Sequence, residues 1–330
     1  MSGLRIYRSL EELTEPFGPC ALSIGNFDGV HAGHRRILRR VAELARARGW
    51  KAAALTFDPH PATIVAPERA PRLLTTPEQR CHLMAEEGIE EVLVLPFGPE
   101  LARLSPEEFA CGILRERLDA RAVLVGSNFR FGHRQAGNVE VLRALGERYG
   151  FETEIVPPVQ LRGRMISSSE IRRLIEAGQV GLAARLLQRP HFLEGPVVAG
   201  RGIGAAKTVP TLNLRPEGEV LPATGVYVTR TADATTGASW PSVTNVGYRP
   251  TFGGTDLTVE SFLLDGLEGD APRRVRVEFL HRLREERKFE SAEALRAQIL
   301  RDAARARAWH RRAEKWIGRG LAPGAVELRR

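Results

Sequence analysis

Two histidines one helical turn apart, His31 and His34, close a glycine-rich run, Gly25-Asn26-Phe27-Asp28-Gly29-Val30-His31-Ala32-Gly33-His34. Imidazole N–H groups at that spacing can both donate to one phosphate group, and glycines let main-chain N–H groups approach its oxygens closely. The helix expected after Gly33 adds unpaired N–H groups and the positive end of its dipole. The run has no Gly-Lys-Ser/Thr, so it is not a Walker A loop. As a zinc pair the histidines would need a third ligand that the sequence does not offer. A second cluster, Ile166-Ser167-Ser168-Ser169-Glu170-Ile171-Arg172, sets hydroxyls at a helix start and an arginine in its first turn. Ser168 and Ser169 read as helix caps or as phosphate ligands, and Arg172 as a partner for phosphate charge. Later, Thr211 and Asn213 stand two apart in a β-rich run, and Glu260 lies in another. Alone, Thr-x-Asn is a common pattern and Glu260 is an ordinary strand carboxylate.

The elements that must position these residues change character along the chain. Cys20–Ile24, Ala52–Phe57, Val92–Leu95 and Ala122–Val125 read as buried strands. Between the first two, Ile37, Leu38, Val41, Leu44 and Ala45 recur at helical spacing until Gly49, and Pro106–Leu118 reads as a further helix. Strands separated by helices imply a parallel sheet with flanking helices, in which ligands bind beyond the carboxyl ends of the strands. The glycine-rich run follows the first of these strands and so occupies such a place. From about Pro190 short β-rich runs follow one another without helices: Val197–Ala199, Val209–Leu214, Gly225–Arg230, Ser242–Val246, Leu257–Leu264 and Arg274–Leu280. That spacing suggests a small antiparallel barrel or sandwich. One long helix then presents Leu295, Ile299, Ala303, Ala306 and Trp309 on one face, which is expected to bury against the barrel. The expected domains are 1–186 and 187–330.

Composition narrows the classes. The 330 residues are 43% apolar and 27% charged, as in a soluble globular protein. No apolar run approaches the roughly 20 residues that span a bilayer, and acids appear before any leader-like apolar core. Cys20, Cys81 and Cys111 are three in number and widely spaced, which argues against a disulfide framework. A cytoplasmic protein without membrane partners is the simplest reading. The net charge of +8 suggests nucleic acid, but residues 270–330 carry 17 basic and 9 acidic side chains while 1–269 are balanced at 31 each. A duplex-binding face is usually built across a fold, so a solvated basic helix is preferred and no nucleic-acid partner is expected. The sequence is compatible with a homo-oligomer and does not specify one.

The glycine-rich run resembles the HxGH signature of the nucleotidylyltransferase superfamily, and 166–172 its ISSTxIR-like motif. Thr56-Phe57-Asp58-Pro59-His60-Pro61, Pro96-Phe97 and Gly126-Ser127-Asn128-Phe129-Arg130-Phe131-Gly132 are similar to segments of the prokaryotic bifunctional riboflavin kinase/FAD synthetases. In that family Asp often stands where this chain has Asn128. His60 reads as a turn residue or a site residue. Pro210-Thr211-Leu212-Asn213 resembles the PTAN motif of the riboflavin kinase barrel, Asn245–Phe252 its NIGxRPTF, and Val259–Asp265 its ExHLLDF. The kinase half departs from the pattern at Ala205–Val209, at Phe262 in place of His and at Gly266 in place of Phe.

The resemblance implies a Rossmann-like nucleotidylyltransferase domain, then a small antiparallel β-barrel and a C-terminal helix. It implies phosphorylation of riboflavin to FMN by ATP, then adenylyl transfer to give FAD. Implied catalytic residues are His31, His34, Arg172 and, as base, Glu260. ATP and phosphate contacts would come from Gly25, Asn26, Phe27, Asp28, Gly33, Ser168 and Ser169, and flavin contacts from Asn128 and Phe129. Thr211 and Asn213 would hold Mg²⁺, an ion suited to hard oxygen donors. Two rivals remain: an FMN adenylyltransferase with a degenerate barrel, and a nucleotide-dependent binding protein.

Overall fold

A computed structural model describes residues 3–14, 17–161, 163–198, 211–251, 254–267 and 269–317. The departures at Ala205–Val209 and the glycines of 200–204 lie outside them. By contacts the chain divides into Met1–Ser168 and Ser169–Arg330.

In the first unit six strands form a parallel sheet: β1 (Arg5–Tyr7), β2 (Cys20–Ile24), β3 (Lys51–Asp58), β4 (Glu91–Pro96), β5 (Ala120–Gly126) and β6 (Glu152–Val156), in the order β1-β4-β3-β2-β5-β6. Every residue of β2 is buried, and so are the middles of β3, β4 and β5. This is what continuous apolar runs produce when helices cover both faces. The helices are α1 (Ala32–Arg48), α2 (Pro61–Val65), α3 (Pro77–Ala85), α4 (Pro99–Arg103), α5 (Pro106–Glu108) and α6 (Val139–Tyr149). Pro106–Leu118, expected as one α-helix, is a single α turn that widens into a π-helix over Phe109–Arg117. Phe109, Ala110, Ile113 and Leu114 all face inward there, and steps of four to five residues suit the wider i→i+5 repeat. The order of strands reverses between β2 and β5. Crevices for ligands open at such a switch point, beyond the carboxyl ends of the strands.

The second unit opens with α7 (Ser168–Glu176) and α8 (Val180–Leu187). A two-stranded hairpin, β7 (Gln160–Leu161) with β8 (Arg164–Met165), precedes them in the chain. The closed barrel is then built from β9 (His191–Val198), β10 (Thr211–Leu214), β11 (Gly225–Asp233), β12 (Ser239–Thr251), β13 (Gly254–Leu263) and β14 (Arg274–Arg284), ordered β10-β13-β12-β11-β14-β9. All its pairings are antiparallel. Tyr227, Val246, Val259, Leu263, Val275, Val277 and Phe279 alternate inward and form its core, and Val180 of α8 joins the same cluster.

The long helix α9 (Ala292–Ile317) packs against the outer face, where Ala306, with Ala303 and Trp309, meets Val226, Val228 and Val243. Its buried stripe differs from the expected one. Leu295 is exposed, whereas Gln298 and Asp302 are buried. Asp302 is paired with Arg284 at 2.8 Å and accepts from the Gln298 amide at 2.8 Å. The start of the stripe is therefore an ion pair with its hydrogen bonds, a pattern that a search for apolar residues passes over.

Candidate active sites

The Gly25–Val30 loop leaves β2 at the switch point and is held in an uncommon shape. Phe27, Gly29 and Val30 all have positive φ, at 48°, 78° and 38°. For Phe and a β-branched Val that geometry costs about 1–3 kcal/mol each and survives only where surroundings enforce it. The enforcement comes from a distant segment. The buried Asp28 carboxylate accepts from the main-chain N–H groups of Leu74 at 2.9 Å and Thr75 at 3.2 Å, and Gly29 N–H donates to the Thr75 hydroxyl at 3.1 Å. The Ser168 hydroxyl donates to the Asp28 carbonyl at 2.9 Å. Arg80, on α3 and almost wholly buried, donates from one η nitrogen to the Asn26 carbonyl at 2.7 Å, the Thr56 hydroxyl at 2.9 Å and the Phe57 carbonyl at 3.3 Å. Sequence reasoning missed the 74–80 segment, since a Thr-Pro capping box and a mixed nine-residue helix carry no pattern that points to a site.

His31 ends the loop and caps α1, with its Nδ1 accepting the His34 N–H at 3.4 Å. In the neutral ring this puts the proton on Nε2, which is left as a donor. The His31 and His34 rings stack with centroids 3.6 Å apart, and Phe27 packs edge-on to His34 at 5.3 Å. A Cβ on Gly33 would lie 3.1–3.2 Å from the His31 ring, so a side chain there would displace it. Burial lowers the His31 pKa to about 4. It also pushes His34 well below the usual range, helped by His31 and Arg80. Both rings are thus neutral at pH 7 and offer N–H dipoles rather than full charges. No acid stands in the first turn of α1 to occupy its positive end.

Around this loop the parallel sheet gathers the other candidates of the first unit. His60 follows β3, caps α2 through Nδ1 and meets the Asn26 side chain through Nε2 at 2.9 Å. It is therefore both a turn residue and a neighbour of the loop. Asn128 and Phe129 follow β5, beside β2; Asn128 is exposed, and Phe129 is half-buried and stacked on Phe131 at 5.4 Å. Gly25 and Asn26 are half-buried, and the ring of Phe27 covers Gly25. Ser169 and Arg172 lie on α7 in the second unit, where an Arg172 η nitrogen contacts the Ser169 hydroxyl at 3.4 Å. Of the two serines read as caps or phosphate ligands, Ser168 already spends its donor on the loop.

In the barrel, Thr211 and Asn213 of β10 alternate with the inward-facing Leu212 and Leu214 and therefore face outward. Antiparallel register sets Asn213 opposite Glu260 on β13, and Glu260 opposite Asn245 on β12. Thr211 pairs with Phe262 one step further along the same face. Directly opposed residues have Cβ atoms about 4.5–5.5 Å apart, so an amide, a carboxylate and a second amide form one row with a hydroxyl beside it. Asn213 and Glu260 are half-buried and Thr211 is exposed. Asn245, the first residue of the NIGxRPTF-like run, enters the row through its register with Glu260. Among the described residues no group of three or more His, Cys, Asp or Glu could hold a metal ion. An oxygen set of hydroxyl, amide and carboxylate nevertheless fits Mg²⁺, which takes few protein ligands and keeps waters and phosphates.

Comparison with known proteins bears on both halves. A family model described as FAD synthetase matches residues 14–170, and one described as riboflavin kinase matches 187–310. The chain is 37% identical over 306 residues to a bifunctional riboflavin kinase/FMN adenylyltransferase of Pseudomonas fluorescens, covering 92% of this chain and 97% of that protein. It is 33% identical to a protein of the same description from Escherichia coli, with the same coverages. Among solved structures, a Streptococcus pneumoniae chain described as a macrolide-efflux protein superposes with a TM-score of 0.82 at 28% identity, covering 94% of this chain and all of that one. Among the described residues here no helix is long and apolar enough to cross a membrane.

Proposed function

This chain belongs to the bifunctional riboflavin kinase/FMN adenylyltransferase family, and on that premise we propose how its residues divide the work. The protein phosphorylates riboflavin to FMN and adenylylates FMN to FAD, with ATP as donor in both steps. The observation that carries this is the match of a separate family model to each half of the chain. The reading with a degenerate barrel and a single activity is not favoured.

We assign adenylyl transfer to 1–186 and phosphorylation to 187–330. This assignment keeps α7, with Ser169 and Arg172, for the first site, although by contacts α7 groups with the barrel. In adenylyl transfer a phosphate oxygen of FMN attacks the α-phosphorus of ATP and pyrophosphate leaves, so no protein nucleophile is required. The Nε2–H of His31, the ring of His34, the glycine-supported main chain of 25–33 and the start of α1 would stabilise the growing negative charge. Arg172 and Ser169 would supply phosphate contacts in this reaction, and Asn128 and Phe129 flavin contacts. Asp28 and Ser168 serve by holding the loop.

In the kinase half Glu260 would accept the proton of the ribityl 5′-hydroxyl as that oxygen attacks the γ-phosphorus and ADP leaves. Thr211 and Asn213 would hold Mg²⁺, which supplies charge neutralisation of the transferred phosphoryl group. Asn245 would orient Glu260 from the opposite side. A cytoplasmic location belongs to this reading, since ATP supply is cytoplasmic.

The test is chromatographic. Purified protein with Mg-ATP is given riboflavin in one vessel and FMN in another. FMN and then FAD should appear in the first, and FAD in the second. FAD formed only from supplied FMN would remove the kinase assignment, and no product from either would remove both.

A further inference from the structure

Arg80 is the most deeply placed cation among the described residues, and its surroundings do not look like those of a structural arginine. Buried guanidinium groups are normally met by a carboxylate, often bidentately, because an unpaired buried charge is costly. Arg80 makes no ion pair within 4 Å among the described residues. The acids that act on it are Asp28, Asp58 and Glu78. Asp28 is engaged by Leu74 and Thr75, and Glu78 is paired with Arg8 at 2.8 Å. All three Arg80 hydrogen bonds leave from one nitrogen, Nη1. Nε and Nη2 are buried and have no partner. Buried polar groups left unpaired are uncommon and ask for an explanation.

The position supplies one. Nη1 binds the carbonyl of Asn26 in the loop after β2, and the hydroxyl of Thr56 and carbonyl of Phe57 near the end of β3. These are the carboxyl ends of two adjacent strands at the switch point. Directly along the chain from Asn26 lie the strained Phe27 and Val30 and the two histidines. His34 senses the cation, which helps to keep its ring unprotonated. The His34 Nδ1 is itself buried without a partner. A fixed positive charge that no carboxylate meets within 4 Å therefore underlies the loop, with Asp28, Asp58 and Glu78 acting on it from further away.

We propose that Arg80 is a positioning residue for adenylyl transfer: a buried cation that locks the Asn26 carbonyl against β3 and gives the loop a standing positive field for the polyphosphate of the nucleoside triphosphate. It acts through the loop and touches neither substrate. The inference rests on the assignment of the His31/His34 loop to the nucleotide. It makes charge, rather than donor geometry alone, the property that matters at position 80. A desolvated charge is screened little by salt or water, so its field reaches a ligand that it does not contact.

The test compares full-length Arg80→Lys, which keeps charge, with Arg80→Gln, which keeps a donor and loses charge. The measurements are ATP affinity by titration calorimetry and kcat and KM for ATP in FAD formation from FMN. Riboflavin phosphorylation by the same preparation serves as the check on the other unit. Arg80→Gln should raise the ATP Kd and KM by tenfold or more, and Arg80→Lys should stay within about threefold of wild type even where it melts earlier. Should Arg80→Gln fail to fold, the lysine variant decides alone, because charge predicts retained ATP affinity. ATP affinity equally poor in both variants, or unchanged in Arg80→Gln, would overturn the proposal. A His34→Ala control separates this from the underlying reading: FAD formation undiminished in that control would mean that the loop is not the nucleotide site at all.

Discussion

At the scale of single residues, burial leaves the histidine pair as N–H dipoles rather than charges. His31 has one ring nitrogen committed to the His34 N–H, and burial keeps the ring neutral. Removing one preorganised donor of this type costs about 10²–10³ in turnover. His34→Ala should therefore lower FAD formation from FMN by that factor and leave riboflavin phosphorylation within twofold, read by product analysis of one preparation. Gly33→Ala tests the geometry independently, because its Cβ would meet the His31 ring at 3.1–3.2 Å. It should lower kcat for adenylyl transfer by tenfold or more with little change in melting temperature. The motif itself was legible in the sequence because all its parts are contiguous. What holds it was not: Thr75 is 47 residues from Asp28, Arg80 is 54 from Asn26, and Ser168 is 140 from Asp28. Spacing in a sequence carries no information about such partners.

At the scale of elements, the barrel breaks the rule that interiors are apolar. Thr229 and Thr231 of β11, Ser242 and Thr244 of β12 and Ser261 of β13 are fully buried in the barrel. Their hydroxyls form a closed ring: Thr229 to Ser242 at 2.8 Å, Ser242 to Thr231 at 2.8 Å, Thr231 to Ser261 at 2.6 Å, Ser261 to Thr244 at 3.1 Å and Thr244 to Thr229 at 2.7 Å. Each hydroxyl can donate once and accept once, so five polar groups satisfy one another and polarise cooperatively. Val226 and Val228, which alternate with Thr229 and Thr231 along β11, lie outside the barrel beneath α9. Thr231→Val keeps the shape and opens the ring, leaving Ser242 and Ser261 each short of a partner. Urea unfolding should show a loss of about 1–3 kcal/mol. The polar start of the α9 stripe defies the same apolar rule. Asp302→Ala would leave the Arg284 guanidinium partly buried without its carboxylate and should cost about 3–5 kcal/mol in the same measurement.

At the scale of the whole molecule, both units contain a histidine that folding keeps neutral. Burial lowers His31 to about 4 and lowers His191, in the barrel, to about 3, against 6.5 for an ordinary imidazole. As pH falls below 6.5 the unfolded chain binds protons that the folded chain refuses. The stability due to these neutral rings is complete above about pH 6.5 and is lost progressively as pH falls toward the folded values. At about 1.4 kcal/mol per pKa unit, the loss by pH 4 is on the order of 3 kcal/mol for each of these two rings. Unfolding followed between pH 7 and pH 4 should show this decline, and His191→Gln should flatten it for the barrel transition alone. The order of domains and the class of each were legible because parallel and antiparallel sheets leave different textures, helices between strands in one and short runs with turns in the other. α7 and α8 carry the amphipathic pattern of the first half and group by contacts with the second.

The central claim is that one chain carries two phosphate-transfer sites that work separately, each with its own residues. Purified Glu260→Gln, assayed side by side from riboflavin and from FMN with Mg-ATP, tests it most directly, because glutamine keeps the row with Asn213 and Asn245 but cannot take the proton. The expected result is loss of riboflavin phosphorylation by at least a hundredfold with FMN adenylylation within a few-fold of wild type. Loss of both activities, or unimpaired riboflavin phosphorylation, would contradict it.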